Sequence, residues 1–213
     1  MELPTPRSDP TLSPAAIQEW ERHLEQVMRG VAHALNNRAA SVSAVLELSF
    51  DPGEDGAPTR ALLGAEVQRL RDLAEVVRTV GSPRGAVEAL SPADAAAAAR
   101  VVVSLHADLR ERSITIDGAG ASPIRVPRWL FVRALVALAA DASAGGPSNA
   151  VAIRIRDDQD WVIVSALPSA TLPAQKPSDY LREAAAALGG EVLRETLGFR
   201  LPSLAGLRRR EGR

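Results

Sequence analysis

Among the residues of this chain able to do chemistry, His33 stands in the most informative setting. It lies in Gly30-Val31-Ala32-His33-Ala34-Leu35-Asn36-Asn37, inside a helical pattern that runs from about Pro14 to Ser49. An imidazole offers a nucleophilic nitrogen at neutral pH. Asn37, four residues on, falls above His33 on the same helical face. A helix-borne histidine with an amide one turn away suits phosphoryl acceptance from a large anionic partner. Arg29 and Arg38 flank His33 and are candidates to steady the phosphoryl group or to steer an acidic partner, or equally to be plain surface charges. The bland alternative for His33 is an ordinary surface histidine. The histidines His23, His33 and His106 show no metal-ligand spacing, and zero cysteines exclude disulfides, thiolate chemistry and Cys-ligated zinc.

The element that positions His33 is an amphipathic helix. Ile17, Trp20, Leu24, Val27 and Val31 form a heptad seam that commits this face to another helix. His33 falls off the seam, toward its edge, where its ring should reach solvent. The seam drifts through Leu35, Ala39, Val42 and Leu46. Ser13-Pro14 is a helix start, cap followed by proline. The turn-rich stretch from Asp51 to Pro58 breaks the pattern, and Thr59 is the expected cap of a second helix. That helix carries Leu63, Glu66, Leu70, Leu73, Val77 and Val80, and stops at Gly81-Ser82-Pro83. Glu66 is the odd member, with Leu62 or Val67 as apolar replacements. A two-helix hairpin cannot bury both faces alone, so the pattern predicts a homodimeric four-helix bundle. Packing of the hairpin on the rest of the same chain is the rival.

The remaining chain divides readily. Residues 1–13 read as a disordered N-terminus, 14–82 as the hairpin, 83–90 as a linker, 91–207 as a second domain and 208–213 as a solvated basic tail. The second domain opens with Ser91-Pro92 and a helix to about Arg112. Strands follow at 114–117 and 124–126, then an apolar helix over 129–142. Strands at 151–156 and 161–165, a helix over 178–188 closed by Gly189-Gly190, and a final hairpin complete it. The order predicts an α+β sandwich. With 46% hydrophobic but only 3% aromatic residues, its core must be built from Ala, Leu and Val. A net charge of −1 and a pI near 6.3 give no electrostatic case for nucleic acid or a membrane surface. No apolar run approaches the ~20 residues that span a bilayer, and the N-terminus lacks a signal peptide's apolar stretch. The expected location is the cytoplasm, with input taken from another protein.

The segment Gly30 to Asn37 resembles the phosphoacceptor box of two-component sensor histidine kinases, in the form G-x-x-H-[DE]-x-N-N. The second half resembles the ATP-binding domain that follows that hairpin in the same family. Leu135-Val136-Ala137-Leu138-Ala139-Ala140-Asp141-Ala142 is similar to its L-x-N-L-x-x-N-A helix. The Ala-rich helix before Gly189-Gly190 and the stretch Gly198 to Pro202 are similar to its ending. The resemblance covers roughly residues 20 to 205. It implies a dimeric hairpin with His33 as phosphoacceptor and Asn37 as the group that orients water or phosphoryl, followed by a histidine-kinase-like ATPase sandwich.

The departures from that pattern matter more. Ala137 and Asp141 stand at its two Asn positions, the second of which helps hold magnesium in the family; an Asp could still ligate it, but Ala137 brings no polar group. Ala166, Leu167 and Pro168 stand where an Asp-x-Gly would bind adenine. The segment from Ser169 to Asp179, where a glycine-rich loop would wrap the phosphates, contains no glycine and two prolines, and Lys176 is a lone cation within it. Ala34 replaces the acidic residue after the histidine, the proposed base of autophosphorylation. The resulting expectation is a cofactor-free histidine phosphotransfer protein: His33 relays phosphoryl groups between response-regulator receiver domains, which bring the magnesium, and ATP is not bound. Alternatives are a pseudokinase scaffold with His33 idle, a receiver phosphatase in which Asn37 positions water, and a divergent active kinase.

Overall fold

A computed structural model of the chain describes residues 12–48, 57–81, 85–118, 120–144, 150–167 and 176–211. It is α+β: a long helical hairpin followed by a mixed sheet packed with helices. The hairpin consists of α1 (Pro14–Leu48) and α2 (Ala57–Gly81). Ser13 starts α1 as expected, its Oγ accepting from the Ala16 amide at 3.2 Å and its carbonyl from the Ile17 amide at 2.9 Å. Helix α2 begins at Ala57, two residues before the expected Thr59 cap, because Pro58 is tolerated in a first turn whose N–H groups lack helical partners anyway.

The C-terminal body contains β1 (Val87–Leu90), α3 (Pro92–Leu105), β2 (Ser113–Asp117), β3 (Ile124–Pro127) and α4 (Arg128–Ala144). It continues through β4 (Ala150–Asp158), β5 (Trp161–Ala166), α5 (Asp179–Ala187), β6 (Glu191–Val192), β7 (Gly198–Pro202) and α6 (Leu204–Glu211). The main sheet has the order β2-β4-β5-β7-β6, with β2 parallel to β4 and the other pairs antiparallel. Alternation sorts its faces: Ile153 and Ile155 are buried while Arg154 and Arg156 are exposed. Helices α3, α4 and α5 pack on the buried side. Helix α4 is the centre of the core, buried continuously from Trp129 to Ala139. Phe131 meets Phe199 of β7 edge to face, with ring centroids 6.2 Å apart.

Three sequence expectations are corrected. The stretch 83–90, read as a linker, contains β1, which pairs antiparallel with β3 and sets Leu90 opposite Ile124, both buried. Four residues carry too little alternation to announce a strand; long-range pairing decides it. Helix α3 stops at Leu105, well before Arg112, because His106 turns extended (φ −72, ψ 118) and caps it. The turn that follows folds Leu109 back into the core at 3% exposure, which a continued helix would not do. The stretch 208–213, read as a solvated basic tail, is exposed at Arg208 and Arg209 as expected, but residues 208–211 are helical and belong to α6, where Arg209 Nε donates to Asp160 Oδ1 at 2.7 Å.

The hairpin seam is partly spent inside the chain. Trp20, Val27 and Val31 of α1 and Leu73, Val76 and Val80 of α2 are buried, with α1 packed on α3 and α5 and α2 on α3 and α4. Each such side chain contributes about 1.5–3 kcal/mol when fully removed from water. The rival explanation, docking within one chain, thus accounts for the base of the hairpin. Farther out, Leu35, Leu46, Leu62 and Val67 are 42–56% exposed. Glu66, and not its apolar neighbours Leu62 or Val67, takes the seam position. It is 7% exposed, accepts from Arg38 at 3.4 Å, and is ion-paired with Arg69.

Candidate functional site

His33 and Asn37 are both exposed on α1, and Asn37 Nδ2 lies 3.2 Å from His33 Nε2. An amide nitrogen only donates, so in this contact Nε2 accepts, the ring proton sits on Nδ1, and the Nε2 lone pair is taken up by the Asn37 amide. Helix spacing alone produces the pairing, since the two residues are one turn apart. Ser41 Oγ donates to the Asn37 backbone carbonyl at 3.0 Å on the next turn. Ala34 and Leu35 beside the ring bring no polar side chain.

The flanking arginines are engaged elsewhere. Arg29, on the same face as His33 one turn earlier, pairs with Glu25 at 3.3 Å; both side chains are well exposed. Arg38 points across the hairpin to Glu66. Neither makes a hydrogen bond to His33. Of the two, Arg29 keeps a helical position from which a rotamer change reaches the ring, whereas Arg38 belongs to the hairpin seam.

Gly30, three residues before His33, has a structural task that the motif reading missed. A Cβ built on it would lie 1.7 Å from the Leu105 carbonyl oxygen, so α1 crosses the end of α3 in near backbone contact. The neighbouring Gln26 carbonyl accepts from the Ala107 amide at 3.3 Å. Beneath this crossing, His23 Nδ1 and His106 Nε2 approach to 3.2 Å, two histidines that spacing did not bring together. Burial pushes the His106 imidazole down to about 4, with His23 acting in the same direction, and His23 itself is lowered by burial. Among the described residues no group of three or more His, Asp, Glu or Cys could hold a metal.

A second set of contacts ties the start of α1 to the body. Trp20 stacks on Tyr180 at 5.3 Å, and the Arg133 guanidinium lies 4.7 Å from the Trp20 ring and 4.8 Å from that of Trp129. Arg133 also donates to the Val80 carbonyl at the end of α2. Trp20 was legible as a seam residue; its partners, more than a hundred residues away, were not.

The residues that the sequence resemblance set against a nucleotide are also placed. Ala137 is fully buried in the core side of α4; Ala166 ends β5 and Leu167 follows it, neither with a carboxylate. Asp141 Oδ2 accepts from the Ser178 amide at 2.9 Å, so this carboxylate is engaged with the start of α5. Burial pushes its carboxyl up to about 6, against the hydrogen bonding of Ser178, and Glu19 adds to the rise. Lys176 is exposed. Pro168 and residues 169–175, the rest of the expected phosphate segment, lie outside the described residues.

No protein-family model matches the chain, and no curated protein matches it. Among solved structures it is similar to the Acinetobacter baumannii histidine kinase AdeS, at 15% identity and a TM-score of 0.44, covering 81% of this chain and 98% of that one. It is also similar to a bacterial phosphotransferase, at 14% identity and a TM-score of 0.38, covering 91% of this chain and 99% of that one. No helix among the described residues is long and apolar enough to cross a membrane.

Proposed function

We propose that the chain is a dimeric histidine phosphotransfer protein, relaying phosphoryl groups between response-regulator receiver domains through His33 and not drawing on ATP. One observation carries this reading: an exposed imidazole whose Nε2 is oriented by Asn37 at 3.2 Å. In the transfer, the Asn37 amide gives up its contact with Nε2, and the freed lone pair attacks the phosphorus of an aspartyl phosphate on the receiver. The N–P bond forms as the P–O bond to the aspartate breaks, and the aspartate leaves as a carboxylate. The reverse step loads the second receiver. Such exchange needs alignment and charge stabilisation more than covalent help from the protein. Asn37 supplies alignment, and the receiver brings the magnesium.

The absence of a carboxylate at Ala166 and Leu167 and of a polar side chain at Ala137 supports transfer without ATP. The exposed apolar residues Leu35, Leu46, Leu62 and Val67 support a second copy pairing along the outer hairpin. Incubation with a phosphorylated receiver domain tests the reading: label should reach His33 in the wild type and not in His33→Ala. A receiver that binds but never labels His33 would favour the scaffold alternative. Faster receiver dephosphorylation that depends on Asn37, with no labelled His33, would favour the phosphatase.

A further inference from the structure

Two of the contacts that helix α1 makes with the body differ in chemistry. Near its middle the contact is backbone on backbone, Gly30 against the Leu105 carbonyl and Gln26 against Ala107. Toward its start the contact is polar. The Ser13 amide and Oγ donate to the two oxygens of Glu183, each at 2.6 Å. Glu19 Oε2 accepts from the Tyr180 amide at 2.9 Å, in the first turn of α5.

First-turn amides of a helix have no partner within the helix and carry partial positive charge. Two carboxylates answer that demand here, Asp141 from the body itself and Glu19 from the hairpin. They stand close enough to repel, since Glu19 raises Asp141. Trp20 Nε1 and Arg133 Nε are buried beside this contact with no hydrogen-bond partner among the described residues.

We propose that this contact is a latch: Glu19, with Ser13 and Trp20, holds the start of α1 on the first turn of α5, and its release lets the hairpin pivot about the Gly30–Leu105 crossing. The latch sets the angle at which the outer hairpin, and with it His33, is presented beside the body. It does not depend on the chemistry assigned to His33, so failure of phosphotransfer and failure of the latch are separate results.

The chain has no cysteine, so two introduced ones report distance cleanly. Gly64→Cys lies on exposed α2 with open space around it, and Glu195→Cys on the exposed loop before β7. With spin labels at both, and the labelled chain diluted into an excess of unlabelled wild-type chain so that only distances within one copy are read, the otherwise wild-type full chain should give one narrow distance distribution. Glu19→Ala should add a second, shifted population and speed hydrogen exchange at the Tyr180 amide at least tenfold, leaving the Val164 amide unchanged. Glu183→Ala, at a half-buried tie, should shift the same population in the same direction. The latch is overturned if neither variant moves the distribution or the Tyr180 exchange rate, or if the wild type is already as broad as Glu19→Ala.

Discussion

Gly30 and Leu105 are in near backbone contact: a methyl group on Gly30 would sit 1.7 Å from the Leu105 carbonyl oxygen. The glycine of the phosphoacceptor-like stretch is therefore fixed by packing, three residues from the histidine whose chemistry drew attention to it. Neither side of the contact is a flexible side chain that could yield. Gly30→Ala is expected to destabilise the fold by about 3 kcal/mol through overpacking. Thermal unfolding should show a melting temperature lowered by several degrees, while His33 stays exposed. An unchanged melting temperature would mean that the crossing is looser than described.

His33→Ala should abolish an acid-labile, base-stable phosphoryl adduct formed from a phosphorylated receiver. Helix content should not change, because an exposed side chain contributes little to packing. Asn37→Ala should slow transfer without weakening receiver binding, the signature of a group that orients a reacting centre. Changing His23 to Ala should leave the adduct intact, although the fold will lose some stability with the buried pair. Normal transfer by His33→Ala would refute the assignment.

Calorimetric titration with ATP and magnesium should show no binding at millimolar concentration. Ala137 and Ala166 present no polar side chain, and Asp141 is already engaged by the Ser178 amide. Sub-millimolar affinity would contradict this.

His106 and Asp141 should pull the acid stability profile in opposite directions. The His106 imidazole is lowered from its ordinary 6.5 to about 4 in the folded chain. Its contribution is complete above 6.5 and is lost as pH falls toward 4, about 3 kcal/mol in all, and His23 adds to the loss. The Asp141 carboxyl is raised from 3.8 to about 6. Its contribution is complete below 3.8 and is lost as pH rises through 6, with about 2–3 kcal/mol at stake. The two nearly offset each other between pH 6 and 4. Urea melts should therefore show Asp141→Asn losing stability on acidification through that window more steeply than wild type. His106→Leu should lose less than wild type, or gain. Parallel profiles for all three proteins would rule this out.

Light scattering should give about twice 22.5 kDa. Leu62→Lys combined with Val67→Lys should yield a folded monomer, because both residues are exposed within the chain and available only to a partner copy. Val27 and Leu73, obvious seam positions, are poor probes of dimerisation. They are buried against the chain's own body or hairpin, and a charge there would unfold the protomer.

Much of this was legible from local pattern. Heptad spacing located α1 and α2, the Ser13-Pro14 and Ser91-Pro92 starts located two helix caps, and alternation located β4 and β5. The His33–Asn37 contact followed from helical spacing alone. What escaped was whatever depends on distant partners. β1 is a strand only because β3 lies beside it, and His23 meets His106 only because α1 crosses the end of α3. Glu19 looks like any surface glutamate until α5 brings the Tyr180 amide to it. The basic end of the chain is solvated as read, but its helix escaped because Arg209 finds Asp160 in the β4–β5 turn, nearly fifty residues upstream.

The buried Glu66 has a further consequence, for helix register. Its carboxylate is held by Arg69 on its own helix and by Arg38 on the facing one, in a seam otherwise apolar. Sliding α2 by one turn past α1, about 5.4 Å, would carry the carboxylate away from Arg38 and leave a buried charge short of a partner, a loss that runs to several kcal/mol. An all-leucine seam would tolerate several such alignments almost equally. One acidic residue thus acts as an index mark on the hairpin, fixing the height of His33 relative to every side chain on α2 that a docking partner would touch.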